Sequence, residues 1–131
     1  RIHGMVQIKT MLPYVETASL TPEGLCFEAI MKDIVESSRG KDAYFVNMCD
    51  GQPYYNDYHG EKANQHTKAQ VKKMRYEGIK VISYFITSSN DASERELDNF
   101  KTMYGKDSQF VDTNRITEIA RTMNSKFLET V

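Results

Sequence analysis

Two short apolar runs, residues 43–49 and 79–86, restrict the possible folds of this chain more than any other feature. Each is bounded by turn-forming residues and is too short for a core helix, so each reads as a strand buried on both faces. Between them, residues 62–76 carry Ala63, Val71 and Met74 at helical spacing on an otherwise polar stretch, and Gly78 follows as a helix terminator. Strand, helix, strand with connections of this length calls for a parallel sheet covered by helices.

The rest of the chain extends the same alternation. Residues 5–15 read as a helix interrupted by Pro13 or as the remnant of an earlier element, and residues 16–20 as a loop. Thr21-Pro22-Glu23 is a helix start, with Thr21 as cap, Pro22 in the first turn and an acid at the positive end of the helix. Leu25, Phe27, Ile30, Met31 and Ile34 give that helix its apolar face. Farther on, Ser93 caps a helix with Leu97, Phe100 and Met103 or Tyr104 inward, and Gly105 stops it. Residues 108–111 are a third strand. Thr113 caps a last helix with Ile116, Ile119, Ala120, Met123, Phe127 and Leu128 on one face. The fold class expected is therefore α/β, with a parallel sheet between helical layers.

Composition narrows the function classes. A net charge of −1 and a pI near 6.3 leave no broad electrostatic case for nucleic-acid or anionic-membrane binding. No apolar run approaches the roughly 20 residues that span a bilayer. The N-terminus does not read as a signal peptide, and the start at Arg1 suits an excerpt or a processed product. Cys26 and Cys49 have no metal-type spacing and sit in apolar stretches, which favours two buried, reduced thiols over a disulfide and a cytoplasmic setting. No G-x-S-x-G elbow, G-x-G-x-x-G or phosphate-binding loop occurs, so an enzyme is disfavoured.

In parallel α/β sheets ligands gather at the carboxyl ends of strands, which points to Asp50-Gly51 and to Thr87-Ser88-Ser89-Asn90. Asp50 offers a carboxylate there, Gly51 permits a close turn, and Thr21 adds a hydroxyl from the preceding loop. Hard cations take such oxygen ligands. Asp-Gly is also a common turn and Thr-Pro-Glu a common cap, so both have plain structural readings. Tyr54, Tyr55 and Tyr58 suit either partner recognition beside the site or packing over the sheet edge. Asp57 and Glu61 suit either a supporting role near Asp50 or a solvated loop. His59 and His66 form a weak ligand set, so His66 reads as structural or solvent-facing. Lys68, Lys72, Lys73 and Arg75 read as a solvated basic face.

The order Thr21-Pro22-Glu23-Gly24-Leu25, then Phe45-Val46-Asn47-Met48-Cys49-Asp50-Gly51-Gln52-Pro53, resembles the later part of a von Willebrand factor type A (VWA) domain. The Asp-Gly-x-Pro wording, with His66-Thr67 and Gly78-Ile79-Lys80-Val81, is most similar to the cobaltochelatase-subunit-like branch, including phage-encoded relatives. The resemblance implies a Rossmann-like three-layer sandwich and a Mg²⁺ or Mn²⁺ site (MIDAS) in which Thr21 and Asp50 match the second and third ligand-bearing loops. It further implies a non-catalytic module that binds an acidic side chain of a protein partner, in company with an AAA+ ATPase. The first loop of that site, Asp-x-Ser-x-Ser, occurs nowhere in these residues: Ser37-Ser38 ends a helix and Ser88-Ser89 follows a later strand. Residues 1–131 are thus expected to be a partial domain, with the missing half upstream or in another chain. Two alternatives stand beside this reading: a Rossmann-like hydrolase or phosphoryl-transfer domain using Asp50, and a degenerate interaction domain without metal.

Overall fold

A computed structural model describes residues 20–49, 51–88, 92–115 and 117–128. The expected helix or remnant at 5–15, nearly all of the 16–20 loop, Asp50 and Ile116 lie outside these residues. Helix α1 (Glu23–Ser38) leads to strand β1 (Tyr44–Cys49). A small hairpin follows, β2 (Tyr54–Tyr55) and β3 (Tyr58–His59), then helix α2 (Gly60–Tyr76) and strand β4 (Lys80–Thr87). Helix α3 (Glu94–Tyr104), strand β5 (Ser108–Asp112) and helix α4 (Thr117–Leu128) complete the order.

Among the described residues the fold is mixed α/β, with a three-stranded parallel sheet ordered β1-β4-β5 and four helices. Tyr44 pairs with Lys80 and Cys49 with Phe85, while β5 joins later, Ser83 opposite Ser108. Alternation along the strands divides the core in two. Phe45, Cys49, Val81 and Phe85 pack with α1, α2 and α3 through Phe27, Met31, Val71, Met74, Phe100 and Met103. Ile82, Tyr84 and Val111 pack on the other face with Ile119 and Met123 of α4. Aromatic contacts knit the first layer: Phe85 and Phe100 have centroids 5.3 Å apart, and Phe100 and Tyr104 4.8 Å.

Several local expectations hold because local chemistry decides them. Ser93 accepts a hydrogen bond from the Glu96 amide and Glu96 reaches back to the Ser93 amide, a complete capping box. Gly78, at φ +83°, and Gly105, at φ +66°, end their helices in conformations that disfavour a side chain.

Others are corrected by packing. Helix α1 begins at Glu23 with Pro22 in the cap position and no side-chain cap, because Thr21 is engaged in a bridge described below. Its inward face is Phe27 and Met31, whereas Leu25 and Ile30 are exposed. Strand β1 is not buried on both faces: it lies at the edge of the described sheet, and Met48 is 52% exposed where α4 does not reach. Thr113 opens a 3₁₀ turn, Thr113–Arg115, and does not cap α4, on which Ala120 and Leu128 are exposed. Cys26 is exposed and Cys49 buried, and the two do not form a disulfide. Arg75 is no solvated residue, since its Nη2 donates to the Tyr104 carbonyl at 2.6 Å and to Asp107 at 3.0 Å. Among the described residues no helix is long and apolar enough to cross a membrane.

Candidate functional site at the carboxyl end of β1

The loop entering α1 and the loop leaving β1 are tied together. The Thr21 amide donates to the Tyr54 carbonyl at 2.7 Å, and the Tyr54 amide donates back to Thr21 at 2.9 Å. This antiparallel bridge places Thr21 against the segment that Asp50 opens. Within that segment Gly51 and Gln52 are half-buried and Pro53 is buried. Asn99 of α3 donates to the Gln52 side-chain oxygen at 3.1 Å, which anchors the loop from the other side. The site residues taken from the sequence thus divide: Thr21, Gly51 and Tyr54 belong to one joined pair of loops, and Asp50 lies outside the described residues.

The tyrosines divide as well. In the hairpin Tyr54 pairs with His59 and Tyr55 with Tyr58, with Asn56 at φ +49° in the turn and Asp57 exposed at its tip. Tyr54 and Tyr55 are exposed, and Tyr54 stacks on His59. Tyr58 turns inward, its hydroxyl 2.8 Å from His66 Nδ1, 3.3 Å from the Ala63 carbonyl and 3.5 Å from Thr67 Oγ1. Burial raises its phenol above the ordinary tyrosine range. A Cβ on Gly24 would strike that hydroxyl and stand 3.0 Å from the Thr67 Cα, so glycine is what lets α1, α2 and the hairpin meet.

His66 has partners on both ring nitrogens. Its Nε2 lies 3.0 Å from the Gln70 amide group and 3.5 Å from a Glu28 carboxylate oxygen. Gln70 Oε1 is buried without a partner as oriented. Turning that amide over would put Oε1 against an Nε2–H and leave Nδ1 to accept from Tyr58, so either amide orientation keeps both His66 nitrogens engaged. His66 is therefore a structural histidine.

Beneath the joined loops lies a buried polar cluster that the sequence reading passed over. Glu23 is 5% exposed, and one carboxyl oxygen accepts a hydrogen bond from Asn47 Nδ2. The same nitrogen lies 3.0 Å from Ser83 Oγ and 3.1 Å from the Tyr104 hydroxyl. Among the described residues Glu23 Oε2 has no partner in hydrogen-bonding geometry, although Tyr104 and Cys49 flank the carboxyl. Burial raises the Glu23 carboxyl above the usual range, and hydrogen bonding with Tyr104, Asn47 and Cys49 offsets only part of this. Burial, and then the neighbouring Glu23 carboxyl, push the Tyr104 phenol far up, so it stays a neutral donor. The available signal was Asn47 and Ser83, single polar residues in two apolar runs, which the register sets side by side.

Among the described residues no three His, Cys, Asp or Glu side chains converge as a metal-binding group. Comparison of the chain with protein-family models, curated proteins and solved structures finds no match.

Proposed function

We propose that the chain is a metal-ion-dependent protein-binding module of VWA-like, Rossmann-like architecture. The observation that carries this reading is the bridge between Thr21 and Tyr54, which joins the loop bearing a hydroxyl to the loop opened by Asp50. The donor chemistry fits a hard cation: Thr21 would hold Mg²⁺ or Mn²⁺ through its hydroxyl and Asp50 through its carboxylate, with the remaining positions left to water and to residues outside this chain. When bound, such an ion supplies an electrophilic position that an acidic side chain of a protein partner can occupy.

The chain's own residues set the surroundings of that position. Pro53, Gln52 and Asn99 fix the loop, Gly24 and Tyr58 fix the hairpin, and Tyr54 and Tyr55 present aromatic surface to a partner. An AAA+ ATPase is the partner class that the cobaltochelatase-like resemblance favours. Isothermal titration of Mg²⁺ into the wild-type protein, Asp50→Ala and Thr21→Val tests the reading. Saturable heat in the wild type, weakened in both variants, supports it; identical heats in all three remove it.

A further inference from the structure

Charge on the outer surface of the helical layer is divided between α1 and α2. The two helices pack side by side on one face of the sheet. Beyond the buried Glu23, α1 carries Glu28, Asp33 and Glu36 against Lys32 alone. Helix α2 carries Lys62, Lys68, Lys72, Lys73 and Arg75 against Glu61 alone. A net charge of −1 for the whole chain conceals this division and leaves little self-repulsion between copies.

The plain explanation is that adjacent helices of opposite sign offset each other within one chain. Among the described residues, however, no carboxylate lies within ion-pair distance of Lys62, Lys68, Lys72 or Lys73. Two of the α1 acids have other partners: Glu36 meets Lys32 at 4.0 Å and Glu28 meets His66 at 3.5 Å. Both glutamates are more than half exposed, so these pairs contribute little and leave the carboxylates open to a second partner. Helical spacing orders the two surfaces. Leu25, Ala29, Lys32 and Glu36 share the outer face of α1, and Lys62, Gln65, Ala69, Lys72 and Tyr76 that of α2. Tyr76 is 90% exposed.

We propose that the chain associates through this face with a second copy of itself, α1 of each copy lying antiparallel against α2 of the other. Both helices run from the carboxyl end of the sheet toward its amino end, so a twofold axis normal to the face produces that arrangement. Placing Ala29 opposite Ala69 of the second copy lets the helices approach closely. The same register sets Glu36 opposite Lys62 and Leu25 within one turn of Tyr76, and it brings helix ends of opposite partial charge together. Two helices about 24 Å long and 10 Å wide give a footprint of about 500 Å² per copy, or about 1,000 Å² in all, the lower end for a specific interface. A dimer of micromolar rather than nanomolar strength is therefore expected. This face is separate from the joined loops at the carboxyl end of β1, and its pairing does not depend on a bound ion.

Sedimentation velocity of the whole chain, from micromolar to sub-millimolar concentration, tests this. The wild type is expected to form a concentration-dependent dimer that weakens as salt is raised. Glu36→Lys and Lys62→Glu are each expected to weaken it about tenfold, because each sets like charges opposite one another twice in the dimer. The double variant is expected to return to near the wild-type affinity. Within one chain that rescue has no route, since Glu36 near the end of α1 and Lys62 at the start of α2 lie about 15 Å apart along helices that run the same way. Met48→Lys, at the edge of β1, is expected to leave the dimer unchanged. Circular dichroism and melting of each variant, with Glu36→Gln and Lys62→Gln as milder changes, guard against misfolding. A monomer at every concentration, a double variant as weak as the single ones, or a dimer broken by Met48→Lys and not by the charge reversals overturns the proposal.

Discussion

The Tyr58 hydroxyl stands 2.8 Å from His66 Nδ1, directly over the place where Gly24 has no side chain. One tyrosine thereby fastens the hairpin to α2 and sets the spacing between α1 and α2. Gly24→Ala is expected to force these elements apart, because the added methyl meets the Thr67 backbone as well as the movable phenol. Overpacking of this kind costs about 1–3 kcal/mol. A Cβ on Gly51 meets nothing within 4 Å among the described residues, so the cost of Gly51→Ala is expected to stay within about 0.5 kcal/mol. Urea denaturation of both variants measures the difference, and equal midpoints would contradict the packing argument.

Removing the hydroxyl alone probes the same junction without adding volume. Tyr58→Phe deprives His66 Nδ1 of its hydrogen-bond partner in a half-buried setting and is expected to cost about 1–2 kcal/mol. Tyr55→Ala, at an exposed side chain beside the turn, is expected to change stability by no more than about 0.5 kcal/mol. If the two losses are alike, the anchoring role of the Tyr58 hydroxyl fails.

The start of α3 supplies the pH dependence. Hydrogen bonds from the Ser93 amide and hydroxyl hold the Glu96 carboxyl below the usual carboxylate range. A lowered folded-state value means that the contribution is present above the unfolded range, about 4.3, and is lost as pH falls through the folded value. Ser93→Ala is expected to cost about 1 kcal/mol near neutral pH. That deficit should shrink on acidification below pH of about 4, where the protonated Glu96 carboxyl gives up the bond it accepts from the Ser93 hydroxyl. Melting temperatures of both proteins between pH 7 and pH 3 test this, and a deficit independent of pH would refute it.

These features were unequally legible in the sequence. The runs containing Val46 and Ile82, the Ser93 cap and the glycine stops were readable because hydrophobic period and cap chemistry act within a few residues. Thr21 was misread as a cap because its bridge to Tyr54 joins residues 33 positions apart, and no local pattern records that. The same applies to Arg75, whose charge suggested solvent until Asp107 and the Tyr104 carbonyl were brought against it. Leu25 and Ile30 have the right spacing for a core face, yet α1 turns Phe27 and Met31 inward and those two outward. Of the candidate site, the position of the loop after β1 was legible from strand and turn signals. The polar cluster beneath it depends on strand register and on Tyr104, a residue 57 positions from Asn47.

That cluster sets a hydrogen-bond count that can be tested. Asn47 Nδ2 has two hydrogens but three oxygens in reach: Glu23, Ser83 and Tyr104. Loss of the Ser83 hydroxyl leaves the amide two acceptors, so Ser83→Ala is expected to cost under about 1 kcal/mol. Tyr104→Phe also leaves Asn47 satisfied, but it deprives the buried Glu23 carboxyl of a hydroxyl donor. Its ring contact with Phe100 remains, so the loss isolates the polar part. A deficit of about 1–3 kcal/mol is expected, larger than that of Ser83→Ala. Tyr76→Phe, at a side chain 90% exposed, serves as the control for removing a phenol and should be neutral. Denaturation midpoints at equal m-values give the order. If Ser83→Ala proves costlier than Tyr104→Phe, the Tyr104 proton is not directed at Glu23 and the assignment within the cluster must be reversed.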